Sequence, residues 1–233
     1  MFSRNKFNEI VDETLENLCK LDLNLHKYKR HYTYEESKKW GEKNFGIWSK
    51  KLANEKISQE VFDSMKEFDY NQVAMYCGWS YRDVNEKLRS QGKFQNEEYV
   101  NKIIVSLDKV FETQSLPENI LLIRWISSDF LDRNIFGRIS VCNGKELVDY
   151  AYKSCSALLT HKVSIHGGER DTSKETLLVI KANANAVSKG VYLDQISKRG
   201  NEQEILLDRK TKIIVEKTLF RNKSNSIILC YLE

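Results

Sequence analysis

The apolar residues of this chain change their spacing once, at Pro117, the only proline in the sequence. Before Pro117, apolar side chains recur at helical spacing in the segments 4–20, 35–52, 57–68, 71–77, 80–90 and 95–113. After it, short apolar runs bounded by turn residues predict strands at 118–126, 176–182, 190–196, 204–207, 211–220 and 225–233. Helices followed by strands, without alternation of the two, indicate the α+β class.

The stretch that follows the first predicted strand, 127–150, is interpreted as a loop that leads into a short helix at KELVDYAY (145–152). The chain has no internal repeat, low-complexity tract or linker, and its 233 residues can bury a sizeable core. We therefore expect a single domain over residues 1–233. Its mainly helical part, 1–113, would pack on a sheet built from 118–233.

The charge of the chain is mild and dispersed. Lys and Arg number 37 against 33 Asp and Glu, which gives a net charge of +4 and argues against nucleic acid or an anionic membrane as a partner. The first residues carry acidic side chains where a signal peptide needs an unbroken apolar core, and no segment approaches about 20 apolar residues. We expect no membrane insertion of this chain and see no signal peptide in it, although a leader cleaved earlier is compatible with the sequence.

Metal ligands are scarce in this sequence. The five cysteines are scattered without a C-x-x-C pair, and there are only four histidines. His161 and His166 lie near a Gly-Gly turn, but no carboxylate or cysteine completes a ligand set with them. Glycine-rich phosphate loops, H-E-x-x-H and G-x-S-x-G are all absent. We expect reduced thiols and no metal.

Three groups of polar residues at predicted strand edges carry the chemical signal. Arg124 interrupts the apolar run LLIRWI, and a buried guanidinium needs an anionic partner such as a carboxylate or a pyrophosphate. Ser154 and Ser156 alternate in YKSCS, and Glu202 and Glu204 alternate in NEQEILL, so each pair would project from one strand face. Taken singly, each of these groups is equally typical of polar residues at a strand end that points into water. Their order along the chain favours an active site.

That order resembles the bacterial mono-ADP-ribosyltransferase toxins of the Arg/Ser-Thr-Ser/Glu-x-Glu class. These include the enzymatic components of actin-modifying binary toxins (iota-toxin-like) and the Rho-modifying exoenzymes. The stretches that carry the resemblance are SKKWGEKNFGIWSKKL, YCGWSYRDVNEKLRSQG, LPENILLIRW, YKSCS and YLDQISKRGNEQEILLDR. The resemblance runs from about residue 32 onward. The last stretch is the most specific, because its length, both glutamates and the following leucines agree.

The resemblance implies an ADP-ribosyltransferase fold, in which the helical half packs on two roughly perpendicular antiparallel β-sheets that frame an NAD cleft. It implies an NAD⁺–protein-arginine ADP-ribosyltransferase that modifies a host protein, with actin as the default target, and slow NAD hydrolysis in the absence of a target. Such a protein would be a secreted or delivered toxin acting in the host cytosol, with a translocation component as a candidate partner.

The resemblance also implies which residues bind NAD. Arg124 would bind the diphosphate, and the backbone of Trp125 would contact the nicotinamide amide. The nicotinamide side of the pocket would be lined by Tyr76, Tyr81 and Asn85.

The remaining implied roles concern the chemistry. Ser154 would hold Glu204 in position, and Ser156 would support the fold of the site. Glu204 would bond the ribose 2′-hydroxyl and stabilise an oxocarbenium-like transition state. Glu202 would orient the acceptor and partly deprotonate it. In this class a glutamate at that position goes with an arginine acceptor, whereas a glutamine goes with the asparagine of Rho proteins.

This sequence departs from the family pattern at several positions. Cys155 replaces the middle threonine, and Arg199 stands where an aromatic residue usually helps to dock the target. Either Arg170 or Lys174 would be the basic residue that follows the second motif. Two alternatives therefore stay open: a non-catalytic adaptor that binds a translocation component, and an NAD glycohydrolase or a transferase for a different target such as a Rho GTPase.

Overall fold

The computed structural model describes residues 4–54, 69–91, 98–127, 130–131, 143–163, 175–184, 189–197 and 202–233. The α-helices are α1 (Arg4–Glu16), α2 (Leu18–Leu21), α3 (Tyr34–Asn54), α4 (Asp69–Met75), α5 (Tyr81–Ser90) and α6 (Glu98–Thr113). A 3₁₀ turn at Leu23–Lys27 follows α2, and Tyr76–Ser80 joins α4 to α5 through a kink at Gly78 (φ −81°, ψ −106°). The helix predicted at 57–68 lies outside the described residues. No helix within the described ranges is long and apolar enough to cross a bilayer.

The strands occupy the second half of the chain, as the change of spacing at Pro117 predicts. They are β1 (Ile120–Ser127), β2 (Glu146–Leu147), β3 (Lys153–Ser156), β4 (Glu175–Ala182), β5 (Gly190–Tyr192), β6 (Glu204–Leu207), β7 (Ile213–Arg221) and β8 (Ser226–Leu232). The α+β prediction is confirmed.

The strands form one ladder of hydrogen-bonded neighbours in the order β2-β7-β8-β4-β1-β3-β6-β5. The two separate antiparallel sheets expected from the resemblance are thus joined, and one neighbouring pair, β4 with β8, is parallel. The joint is narrow, because β1 and β3 share the single register pair Ile123↔Ser156. The ladder therefore consists of a five-strand group that ends at β1 and a three-strand group that begins at β3.

The two faces of β1 pack against different helices. Leu121 and Ile123 lie in an apolar cluster with Phe7 and Val11 of α1. The alternate residues Ile120 and Leu122 lie in a larger cluster with residues of α3 to α6. Because alternate strand residues point to the same face, Arg124 falls on the side of the larger cluster.

Helix α3 begins at a capping box. Backbone N–H of Glu36 donates to Thr33 Oγ1 (3.3 Å), and backbone N–H of Thr33 donates to the Glu36 carboxylate (3.2 Å). Just over one turn after Glu36, Trp40 Nε1 donates to Glu118, two residues before β1 (2.6 Å). The cap and this long-range contact fix the direction in which α3 crosses the sheet.

The helix predicted at 145–152 is wrong. Gly144 adopts φ +80°, and the next residues form the short strand β2, in which Glu146 pairs with Ile214 and Leu147 with Ile213 of β7. The apolar spacing of the segment resembles that of a helix, but pairing with β7 satisfies its backbone and buries Leu147. The segment then passes Asp149 and bends at Ala151 before β3 begins.

Candidate active site

A cleft of about 500 Å³ lies between α5 and the strands β1 and β3. Its lining residues are Tyr81, Arg82, Asn85, Glu86, Arg89, Arg124, Trp125, Tyr152 and Ser154. The α5 residues Tyr81, Asn85 and Arg89 are spaced four apart, so the helix presents them on one face. The strands supply the opposite wall.

Arg124 is anchored on two sides at this wall. Its Nη1 donates to the carbonyl oxygen of Ser154 (2.9 Å), and its Nη2 donates to Asp149 Oδ2 (3.2 Å). The side chain of Arg124 is 12% exposed and that of Asp149 is 4% exposed. The anionic partner that a buried arginine requires is therefore Asp149, a residue that sequence reasoning missed.

Arg89 of α5 binds the same carboxylate. Its Nε and Nη2 donate to the two oxygens of Asp149 at 2.9 and 3.1 Å, and backbone N–H of Ala151 adds a third donor at 3.1 Å. Burial works against ionisation of Asp149, but the two guanidinium groups outweigh it and lower its pKa. We call Arg89, Arg124 and Asp149 the arginine side of the cleft. Sequence reasoning also missed Arg89, although its spacing from Tyr81 and Asn85 places it on the same helix face.

Glu204 is held from the neighbouring strand. Ser154 Oγ donates to Glu204 Oε1 at 2.5 Å. The contact is diagonal across the ladder, because Ser154 pairs with Leu206 while Glu204 pairs with Ser156. Glu204 is buried, so its carboxylate has little freedom to turn away from the Ser154 hydroxyl.

The three predicted nicotinamide-side residues do not all lie at the cleft surface. Tyr81 and Asn85 line the cleft, whereas Tyr76 is buried beneath them and its hydroxyl accepts from Asn85 Nδ2 at 3.3 Å. The pKa of Tyr76 is raised first by burial and then by the negative charge of Glu204. Tyr76 thus supports Asn85 from beneath the cleft surface.

The backbone turns sharply between the two glutamates. Gln203 adopts φ +50°, and strand β6 begins only at Glu204. Left-handed backbone costs an L-residue about 1–2 kcal/mol. Strand alternation therefore does not relate Glu202 to Glu204, contrary to the expectation from the sequence. The carbonyl oxygen of Glu202 accepts from Ser156 Oγ at 2.8 Å, which is the support that Ser156 supplies.

Gln203 is itself fixed by buried polar contacts. Its backbone N–H and its Nε2 donate to the two oxygens of Asp194 at 3.1 and 2.8 Å. Its Oε1 accepts from the hydroxyl of Tyr192 at 2.9 Å. Burial raises the pKa of Asp194 to about 6. We call residues 202–204 together with Asp194 the glutamate side of the site.

The other singled-out residues have plainer surroundings. Trp125 lines the cleft and also packs edge-on against Phe7 of α1, with ring centroids 6.1 Å apart. Burial raises the pKa of Cys155 to about 12, which makes this thiol a poor nucleophile. Arg170, Lys174 and Arg199 lie outside the described residues. In the described part of the chain, no three His, Cys, Asp or Glu side chains are grouped as metal ligands.

Comparison with known proteins identifies the fold. The model of the ADP-ribosyltransferase exoenzyme family matches residues 37–230. No curated protein sequence matches the chain. The C3 exoenzyme of Clostridium limosum is similar in structure, with 22% identity, a TM-score of 0.63 and coverage of 88% of this chain and 97% of that one.

Two further solved structures hold nucleotides. C3stau2 from S. aureus, solved with NAD, is 19% identical, with a TM-score of 0.62 and coverage of 89% and 99% of the two chains. BECa of a C. perfringens binary enterotoxin, solved with NADH, is 16% identical, with a TM-score of 0.64 and coverage of 88% of this chain but 50% of that one. The chain belongs to the ADP-ribosyltransferase exoenzyme family, the class of bacterial toxin that the Arg, Ser-x-Ser and Glu-x-Glu order predicted.

Proposed function

We propose that this protein transfers ADP-ribose from NAD to an arginine of a host protein, with Glu204 and Glu202 in separate roles. The observation that carries the proposal is the 2.5 Å contact between Ser154 and Glu204 beside the cleft. It fixes one carboxylate next to Ser154 of the strand wall, which also carries Arg124 and faces Arg89 of α5 across the cleft. An anchored carboxylate and paired guanidinium groups suit a substrate that carries a diphosphate and develops a positive charge nearby.

The residues of the cleft fit NAD as the co-substrate. Arg89 and Arg124 offer planar, charged donors for the diphosphate, and Arg82 adds a third positive charge at the lining. Tyr81 and Trp125 provide aromatic surface for the rings. C3stau2 and BECa, which share the fold, were solved with NAD and NADH respectively. No part of this fit calls for a metal.

Glu204 would act on the charge that develops on the ribose. When the bond between the ribose carbon and the nicotinamide nitrogen breaks, nicotinamide leaves with the electron pair. Positive charge then develops on the ribose. A carboxylate that Ser154 already holds need not reorganise to stabilise this charge. The ground state of NAD gains less from the same carboxylate, so the contact favours the reaction rather than binding alone.

Glu202 would act on the incoming group. A guanidinium is matched by a carboxylate in a two-point contact that a neutral amide does not offer. Glu202 would orient the target arginine and take up the proton that its nitrogen loses on bonding to the ribose carbon. This residue type supports arginine rather than asparagine as the acceptor. When no target is present, water would take the place of the guanidine and NAD would be hydrolysed slowly.

The biological setting is part of the same proposal. The chain would form a single domain that is secreted or delivered and acts in the host cytosol, with actin as the first target to test. A translocation component is the partner to look for. The rival interpretation, a non-catalytic adaptor, is disfavoured because such a copy has no need of the contacts of Arg124 with Asp149 and of Ser154 with Glu204.

Labelled NAD tests the enzyme assignment. Incubation of the protein with labelled NAD and a eukaryotic lysate should label a protein band and release nicotinamide. Glu204→Gln should reduce both by at least about 100-fold, because a preorganised electrostatic contact is lost. The matched control is Glu112→Gln, which makes the same change at an exposed position of α6. A wild-type protein that neither labels a band nor releases nicotinamide would refute the assignment.

Glu202→Gln tests the acceptor. We expect transfer to be lost while much of the NAD hydrolysis survives, and equal loss of both would contradict the role of Glu202. Mass spectrometry of the labelled band names the target and the modified residue. A modified asparagine in a Rho protein would replace the arginine proposal.

A further inference from the structure

Gln203 is the residue of the glutamate side whose conformation most needs an explanation. It is fully buried, stands between the two glutamates and adopts φ +50°. Glycine and asparagine visit this region readily, whereas a long side chain such as glutamine seldom does. The surroundings of Gln203 must therefore hold its backbone in place.

Asp194 makes the largest share of those contacts. One of its oxygens accepts from the backbone N–H of Gln203 and the other accepts from its side-chain amide, at 3.1 and 2.8 Å. The two bonds bridge the backbone and the side chain of one residue, which fixes the rotation between them. The Gln203 side chain is thus an anchor directed into the protein.

Tyr192 adds a further contact to Gln203. Its hydroxyl donates to Gln203 Oε1 at 2.9 Å. Its ring packs against Trp40 and Phe45 of α3, each at a centroid distance of 6.4 Å. A Cβ placed on Gly41 would overlap the Tyr192 ring, so the glycine lets α3 approach closely. The anchor of Gln203 is therefore continuous with the helical layer.

We propose that Asp194 is a positioning residue for the two glutamates and acts through Gln203. The proposal rests on the proposed function, because it concerns how the glutamates of that reaction are aimed. The φ angle of Gln203 sets the direction of Glu202 relative to Glu204. Ser154 holds Glu204 independently, so loss of Asp194 misdirects Glu202 first. Asp194 therefore governs transfer to the protein acceptor more than the breaking of NAD.

Two substitutions and a control test this. Asp194→Ala removes the anchor, and Gln203→Gly removes the anchored side chain while glycine adopts the left-handed backbone without steric cost. Asp208→Ala is the matched control. Asp208 lies just beyond the other end of β6 and is buried, whereas Asp194 is half-buried, and the Asp208 carboxylate accepts from the backbone N–H of Lys210 at 3.2 Å.

We expect kcat for transfer to fall by about 10- to 100-fold in both test variants, since a small misplacement of a reacting group has this effect. Nicotinamide release without acceptor should fall by less than about threefold, and KM for NAD should stay unchanged because the arginine side is intact. Asp208→Ala should keep wild-type ratios. Equal losses of transfer and hydrolysis, or no loss in Gln203→Gly, would overturn the proposal. If Asp194→Ala does not fold, Gln203→Gly still decides.

Hydrogen exchange gives a readout that needs no activity. In Asp194→Ala the backbone amide of Gln203 should exchange at least about tenfold faster than in Asp208→Ala, because its acceptor is gone. Unchanged exchange would overturn the anchoring by Asp194 even in an active enzyme. A wild-type protein that releases no nicotinamide would instead defeat the proposed function, while the exchange rate still decides whether Asp194 holds Gln203.

Discussion

The arginine side and the glutamate side of the site are held by different forces. On the arginine side, groups from β1, α5 and the segment before β3 meet at the carboxylate of Asp149, and the bonds from Arg89 and Arg124 to it are charge-assisted hydrogen bonds between side chains. On the glutamate side, the backbone itself is fixed. Ala157 N–H donates to the carbonyl of Gln203, Leu193 N–H donates to that of Glu204, and the side chains of Tyr192 and Asp194 supply the remaining contacts.

The difference has a chemical consequence. Charge contacts in a partly exposed wall can be weakened in steps, and each step should appear mainly in the affinity for NAD. A backbone conformation is either kept or lost, so changes on the glutamate side should appear mainly in kcat. Four substitutions can break or sharpen this contrast.

The largest effect is expected from Arg124→Ala. The variant loses the guanidinium proposed for the diphosphate and leaves Asp149 with Arg89 alone among its arginine partners. Hydrogen bonds to charged groups contribute about 1.5–3 kcal/mol, so KM for NAD should rise by about 100-fold in steady-state measurements. Arg221→Ala, an exposed position at the end of β7, is the control. A loss confined to kcat would show that the arginine side and the glutamate side do not differ in the kinetic constant that they control.

Ser154→Ala should lower kcat rather than raise KM for NAD. Glu204 loses the hydroxyl that holds it at 2.5 Å, so kcat should fall by about 10- to 100-fold while KM for NAD changes by less than about threefold. Nicotinamide release measures both constants, with the exposed Ser115→Ala as control. A rise of KM comparable to that of Arg124→Ala would show that Ser154 serves NAD binding.

Arg89→Ala should have a graded effect. The Arg89 side chain is 45% exposed, so its bond to Asp149 is screened and should add less than about 1 kcal/mol to stability. We expect KM for NAD to rise by no more than about tenfold, and the difference from wild type to shrink as salt is raised. A difference that salt leaves unchanged would contradict an electrostatic role.

The smallest effect concerns the support behind the glutamate side. His31 is buried, its ring lies 5.5 Å from that of Trp40, and burial lowers its pKa below the usual 6.5, with a backbone contact to Ala157 partly opposing. As pH falls, His31 of the unfolded chain therefore takes up a proton at a higher pH than His31 of the folded protein. The free energy of unfolding is not affected by His31 above about pH 6.5 and declines below it.

Denaturant unfolding of wild type and His31→Leu checks this. Between about pH 7.5 and 5.5 the wild type should lose up to about 1.4 kcal/mol more than the variant, the limit for one proton over one pH unit below 6.5. Equal losses in the two proteins would show that His31 does not titrate on unfolding in this range.

Sequence reasoning found the chemistry of the site better than its supports. Arg124 could be predicted to need an anion, because a lone charge stood in an apolar strand. Its partner Asp149 could not, since the apolar spacing of 145–152 is that of a helix and only pairing of Glu146 and Leu147 with β7 shows that the segment is not helical. The left-handed backbone at Gln203 could not be predicted from the neighbouring sequence either. Contacts with Asp194 and Tyr192, which are not its neighbours in the chain, hold it in that conformation.

Arg124 also helps to hold the two groups of strands together at their narrow joint. The backbone ladder between β1 and β3 consists of the pair Ile123↔Ser156, and next to it Arg124 donates to the carbonyl of Ser154. This hydrogen bond links β1 to β3 where the sheet has the fewest backbone contacts between neighbouring strands. The strand wall of the cleft takes Arg124 and Trp125 from one strand group and Ser154 from the other, so the shape of that wall depends on the hydrogen bond from Arg124 to Ser154.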